Sequence, residues 1–313
     1  MIIALIIILI IILLLWLICG LAAFFAAMSR GRGLDLNDRR RIRGTVWERY
    51  YKEITDGIAW FHSHEYETVT IKSRDGLTLY GSLIKHDAAR GTVIMFHGYR
   101  TFGECDFSAD ADHYYSFGYN LLLVDQRACG RSGGRFITFG IRERYDCCEW
   151  ISYVADRYGM KHEIFLGGLS LGGSTVLMAS GEGLPANVKG MISDSAFSSP
   201  KDIIGRTIRN KYHLPSGLLM PVMNFWSRLI AGISLDEYST LEAMDTNHTP
   251  VLFVHGKEDD YVPWEMTVKA YEKCTAPKFL YLVEGAEHGV SYMLEPDEYR
   301  RRLTEFFKFC QMR

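Results

Sequence analysis

The chain has 313 residues, a net charge of −2 and a hydrophobic fraction of 48%, enough for one large globular domain with a substantial core. Its near-neutral charge removes any global electrostatic argument for nucleic acid or an acidic partner. Seven cysteines, at 19, 105, 129, 147, 148, 274 and 310, form an odd set without CxxC spacing, which argues against a disulfide framework and fits a reducing compartment.

Residues 1–29 open the chain with an Ile- and Leu-dominated run that carries no charged side chain. Read as a helix it is roughly 40 Å long, more than the ~30 Å hydrocarbon core of a bilayer, and it has no polar face. The run is also longer than the apolar region of a signal peptide and lacks a basic start. It therefore predicts a single-pass membrane anchor. Arg30, Arg32, Arg39, Arg40, Arg41 and Arg43 follow it and nothing basic precedes it, which predicts that the rest of the chain lies on the cytoplasmic side. Residues 30–65 read as a juxtamembrane segment: a short linker over 31–37, then an interfacial helix over 39–57 with Val46, Trp47, Tyr50 and Tyr51 among charges. His62 and His64 lack a surrounding Cys or carboxylate cluster, which argues against a metal pair.

From residue 66 the pattern alternates. Residues 68–71 and 77–84, joined at Arg74-Asp75-Gly76, predict an antiparallel hairpin. Continuous apolar runs at 92–96, 120–124, 188–192, 251–254 and 279–283 predict strands buried on both faces of a parallel sheet. Helical spacing over 142–158, 264–273 and 294–310 supplies the layers between them. An antiparallel start followed by alternating strands and helices means an α/β fold with a mostly parallel twisted sheet and helices on both faces.

Ile164–Ser180 is the stretch with chemistry in it. An apolar run ends at Gly167-Gly168, then Gly168-Leu169-Ser170-Leu171-Gly172 leads into the apolar helix candidate 175–179. Strand, sharp turn with a serine at its tip, helix is the context that makes Gly-x-Ser-x-Gly a nucleophile elbow. A serine hydroxyl needs an adjacent base, itself oriented by an acid. In the order Ser, Asp, His the acid follows a later strand and the histidine the last one. Asp259, four residues past the strand ending at His255, and His288, just after the last strand, meet that requirement. Asp194 ends a strand as well and is the second candidate acid. Asp260 is disfavoured because adjacent side chains diverge. Residues 196–249 interrupt the alternation with an apolar, Met-bearing, proline-broken stretch. Lying over the C-terminal edge of the sheet, they read as a small helical cap lining an apolar pocket.

With these motifs in place the chain resembles the α/β-hydrolase superfamily, in particular the capped serine hydrolases of the esterase and monoacylglycerol-lipase kind. Over residues 66–309 the resemblance rests on His97-Gly98, Asp125-x-Arg127-x-x-Gly130-x-Ser132, Gly168-x-Ser170-x-Gly172, His255-Gly-x-x-Asp259-x-x-Val262-Pro263 and His288-Gly289. One departure is Ala128, where relatives carry glycine. The resemblance implies Ser170 as nucleophile, Asp259 as acid and His288 as base, with an oxyanion hole from the backbone N–H groups of Tyr99 and Leu171. It implies hydrolysis of a small-molecule carboxylic ester, acyl-lipid esters foremost, with no metal and no cofactor. The same triad serves peptides and thioesters. A non-catalytic membrane scaffold is the reading from another class, and intact Ser170, Asp259 and His288 argue against it.

Overall fold

An eight-stranded sheet organises the chain: β1 (Tyr66–Lys72), β2 (Thr78–Ile84), β3 (Gly91–Phe96), β4 (Tyr119–Val124), β5 (Glu163–Leu169), β6 (Val188–Asp194), β7 (Val251–Gly256) and β8 (Lys278–Val283). The strands lie in the order β1-β2-β4-β3-β5-β6-β7-β8. β1 and β2 pair antiparallel, β2 meets β4 antiparallel, and every later pairing is parallel. This is an α/β-hydrolase fold. The computed structural model describes residues 1–312 apart from 32, 34, 36 and 37; Arg32 and the linker positions 34, 36 and 37 lie outside the described residues.

The apolar runs are continuous because both faces of the sheet are covered. Along β3, Ile94 and Phe96 point into one core, with Trp150, Ile151 and Val154 of helix Glu143–Tyr158 and Val176 and Leu177 of helix Leu171–Ser180. Val93 and Met95 point into the other, with Phe61, Tyr114 and the Leu303, Phe306 and Phe307 face of helix Pro296–Gln311. A third apolar cluster lies above the C-terminal edge of the sheet, and it includes Phe24 and Met28 from the N-terminal helix.

Residues 196–249 fold as helices Pro200–Tyr212, Ser216–Trp226 and Thr240–Thr246, with a π-turn over Ser227–Ala231. Ser199 and Ser239 cap the first and last by accepting the backbone N–H groups of Asp202 and Glu242, the usual service of a serine at that position. Met1–Ser29 contains one helix, Ile2–Met28, whose apolar window has a mean hydropathy of 3.7.

Two expectations change. The helix expected over 39–57 is three pieces, Arg39–Ile42, Val46–Tyr50 and Tyr51–His62; Gly44 at φ +75° turns the chain between the first two. The last helix starts at Pro296, not Leu294, since proline is pre-set for the first helical position but lacks the N–H needed further in. Helices Gly103–Asp106 and Ala111–Ser116 carry too few residues for a readable period.

Candidate active site

Three strand ends build the site. At β5 the chain reverses from strand to helix within one residue: Ser170 sits at φ 54°, ψ −110° and is followed at once by helix Leu171–Ser180. A positive φ is costly for a non-glycine residue and persists only where its surroundings hold it. Here the Ser170 N–H donates to Asp194 O at 2.8 Å. A Cβ on Gly168 would lie 2.3 Å from Gly172 O, and one on Gly172 would lie 1.7 Å from Phe96 O. Only glycine allows the strand, the helix and β3 to approach so closely.

The loop after β7 brings Asp259, and the loop after β8 brings His288. His288 Nδ1–H donates to Asp259 Oδ2 at 2.6 Å, which leaves Nε2 to accept from Ser170 Oγ–H at 3.0 Å. The tautomer follows from these partners. Asp259 Oδ1 accepts the N–H groups of Tyr261 at 2.9 Å and Val262 at 2.7 Å. Burial disfavours the Asp259 carboxylate, but His288 and His255 outweigh it and hold the group well below the ordinary carboxylate range. For His288, burial likewise opposes the charged ring; Asp259 overrides it and raises the pKa above the usual imidazole value.

Asp194, the second candidate acid, accepts from Ser195 Oγ at 2.9 Å and Tyr299 Oη at 3.2 Å and supports the floor of the site. Asp260 is exposed at the surface. His97 is a brace: the Gln126 N–H donates to its Nε2 at 3.0 Å, and Gln126 Nε2 donates to its carbonyl at 2.5 Å.

Leu171 is the first residue of its helix, so its N–H has no intrahelical acceptor and points into the elbow. The loop carrying Tyr99 is close by, because a Cβ on Gly98 would lie 3.6 Å from Ser170 Cβ. Two supports of that loop have no sequence motif. Asp106 Oδ2 accepts the Gly98 N–H and the Thr101 hydroxyl, both at 2.6 Å. On the outer side, Tyr99 Oη–H donates to Ala27 O at 2.6 Å, and Arg100 donates to Ala26 O at 2.9 Å and Ser29 O at 2.7 Å, all from the N-terminal helix and its cap. His255, near the end of β7, is a further support of the site. It is fully buried, with Nε2–H donating to Val262 O at 2.8 Å and lying 3.1 Å from Asp259 Oδ2. Its signal was the four-residue spacing to Asp259 on one tight loop.

The Asp125-to-Ser132 motif has a framing role. Arg127 grips Asp146 with Nε and a terminal nitrogen, both at 2.6 Å, and reaches Asp75 at 3.0 and 3.2 Å. Ala128 holds φ +57°, the left-handed conformation that glycine adopts without strain.

Over residues 93–302 the chain matches the alpha/beta hydrolase family. It is 30% identical over 246 residues to the uncharacterized protein YqkD of Bacillus subtilis, which covers 79% of this chain and 80% of that one. It is 26% identical over 217 residues to the uncharacterized membrane protein YNL320W of Saccharomyces cerevisiae, 67% of this chain and 68% of that one. Among solved structures, the Pyrococcus furiosus esterase Pf2001 superimposes with a TM-score of 0.64 at 25% identity, covering 79% of this chain and 93% of that one. Fold, family match and a relative of near-equal length agree: the chain belongs to the alpha/beta hydrolase family.

Proposed function

We propose that the protein is a serine esterase acting on apolar or acyl-lipid esters, with Ser170 as nucleophile, His288 as base and Asp259 as the acid that orients it. The hydrogen-bond line from Asp259 through His288 to Ser170, at 2.6 and 3.0 Å, carries the reading. In this mechanism Ser170 Oγ attacks the ester carbonyl as its proton passes to His288 Nε2. General base assistance of this kind is worth roughly 10²–10⁴-fold. The backbone N–H groups of Leu171 and Tyr99 hold the oxyanion, each worth on the order of 10²–10³-fold. His288 then protonates the departing alcohol, and water, deprotonated by the same ring, releases the carboxylic acid.

The esterase named among the structural neighbours supports ester over other acyl substrates. The apolar side chains beneath the cap, among them Leu171, Phe197, Ile204, Met220 and Met223, supply the surroundings that suit an acyl chain. Residues 1–29 act as the anchor, 30–65 as the juxtamembrane segment and 66–313 as the hydrolase domain, on the cytoplasmic side, as the arginines after the helix require.

The test uses the full chain in detergent micelles with p-nitrophenyl esters of increasing acyl length. Turnover that rises with chain length and vanishes in Ser170→Ala is the expected result. Hydrolysis that survives in the variant removes Ser170 from the mechanism, and turnover confined to acetate and butyrate retires the acyl-lipid substrate.

A further inference from the structure

The N-terminal helix has two unlike halves. Residues 1–16 are exposed throughout, while Leu17, Gly20, Phe24 and Met28 form a stripe against the rest of the protein. At 1.5 Å per residue the free half reaches roughly 24 Å, short of the ~30 Å hydrocarbon core. A spanning helix must therefore draw roughly 6 Å more, about one turn, from the part that touches the protein.

That turn is where cap helix Ser216–Trp226 crosses. Trp16 Nε1 donates to Leu218 O at 2.7 Å, and Trp226 Nε1 donates to Leu17 O at 2.9 Å. A Cβ on Gly20 would lie 2.2 Å from Val222 Cγ1. Consecutive residues 16 and 17 thus reach positions 218 and 226, two turns apart on the cap helix. The cap helix lies across the N-terminal helix, as a helix in the plane of a bilayer lies across one that spans it.

Val222 is also the centre of an apolar stripe, Leu218, Val222 and Phe225 at the i, i+4, i+7 spacing of one helical face, with Leu229 following on the π-turn. Val222 is covered by Gly20. Its neighbours to either side, Leu218, Phe225 and Leu229, are 64%, 51% and 66% exposed. Lys211, Tyr212 and Arg228, which flank this stretch in sequence, are exposed as well, Arg228 pairing with Asp236; basic and aromatic residues of this kind suit a headgroup layer.

We propose that this cap face is bedded in the same bilayer as the N-terminal helix, with Leu218, Phe225 and Leu229 at the boundary between acyl chains and headgroups. The proposal rests on the membrane-spanning reading given above. Interfacial helices enter to roughly 5–10 Å, and the helix length asks for a depth inside that range. From Gly20 to Ala27, the carbonyl that takes the Tyr99 hydroxyl, is roughly 10 Å along the helix. Tyr99 belongs to the loop that lies beside Ser170, so this boundary lies on the same side of the molecule as the site.

The experiment places a nitroxide at Leu218→Cys, Phe225→Cys and Leu229→Cys, one at a time, in the full chain with Cys19→Ala and Cys148→Ala. Leu9→Cys, in the free half of the helix, reports on the span. Met160→Cys, exposed at the opposite edge of the sheet, reports on water, and thermal melts check that each variant is folded. In phosphatidylcholine–phosphatidylglycerol vesicles, collisions with oxygen relative to a water-soluble nickel chelate are measured at each site. The expected ratio at 9, 218, 225 and 229 is several-fold above that at 160. A high ratio at 9 with cap sites matching 160 overturns cap immersion and leaves the span standing. A low ratio at 9 overturns the span itself, and the cap proposal with it.

Discussion

Two carboxylate-centred clusters sit at ends of the same sheet edge, and they differ in what their protons can do. After β4, Arg127 places donors on Asp146 and Asp75, and Arg142 adds another to Asp75 at 3.0 Å. Each of these bonds joins a guanidinium to a carboxylate, and burial raises the Asp146 pKa to about 6 while Arg127 pulls it down. After β7, Asp259 is as deeply buried as Asp146, but its partners are two histidines and two backbone N–H groups. That second cluster ends on a hydroxyl, and its proton can leave. An ionic cluster of this kind fixes shape, whereas one that ends on a titratable ring and a strained serine has the parts that the proposed mechanism needs.

The sharpest way to break this comparison is Asp259→Asn. It preserves shape while removing the charge, and on the proposed mechanism kcat should fall on the order of 10⁴-fold with little change in melting temperature. A loss below tenfold in ester kinetics would return the acid role to Asp194. Arg127→Leu should do the opposite. It leaves Asp146 buried without its partner, a loss of about 3–5 kcal/mol in a denaturant titration, while activity per folded molecule stays near that of the parent. If that variant keeps its stability and loses turnover, the two clusters have been assigned the wrong way round.

The pH profile sharpens the contrast further. His288 must be neutral to act as base, and Asp259 favours its charged form, so kcat/KM should rise with pH through a value above the ordinary imidazole pKa of about 6.5. In Asp259→Asn that limb should move to lower pH. An unmoved limb in the variant would mean that another group governs it. The smallest effect is expected from Tyr99→Phe, which deletes one bond to Ala27 O and should cost about 1 kcal/mol of stability, read as a modest drop in melting temperature. A neutral result there would show that Arg100 and the backbone bonds of Met28 and Arg30 hold the helix end without it.

The strands were legible because apolar runs such as 92–96 and 120–124 are uninterrupted, and two covered faces leave such a run no reason to alternate. The Ser170 turn was legible because a reversal this tight has few solutions, and glycines at 168 and 172 mark one of them. Asp106 was not, since its partners Gly98 and Thr101 are brought to it by a short helix that has no period to read. The packed half of the N-terminal helix was equally hidden. Every residue in it is apolar, so the stripe facing protein and the stripe facing outward look alike in sequence. Gly20 alone marks the crossing.

The bonds from Tyr99 and Arg100 to Ala26, Ala27 and Ser29 bear on maturation. Although the apolar run is longer than that of a signal peptide, Ala27-Met28-Ser29 has the small residues a processing peptidase favours. A cut there would take away the Phe24 and Met28 side chains from the cluster beneath the cap and remove the Ala26 and Ala27 carbonyls that accept from Arg100 and Tyr99. A cut at this point would therefore open the third apolar cluster instead of leaving the folded domain untouched.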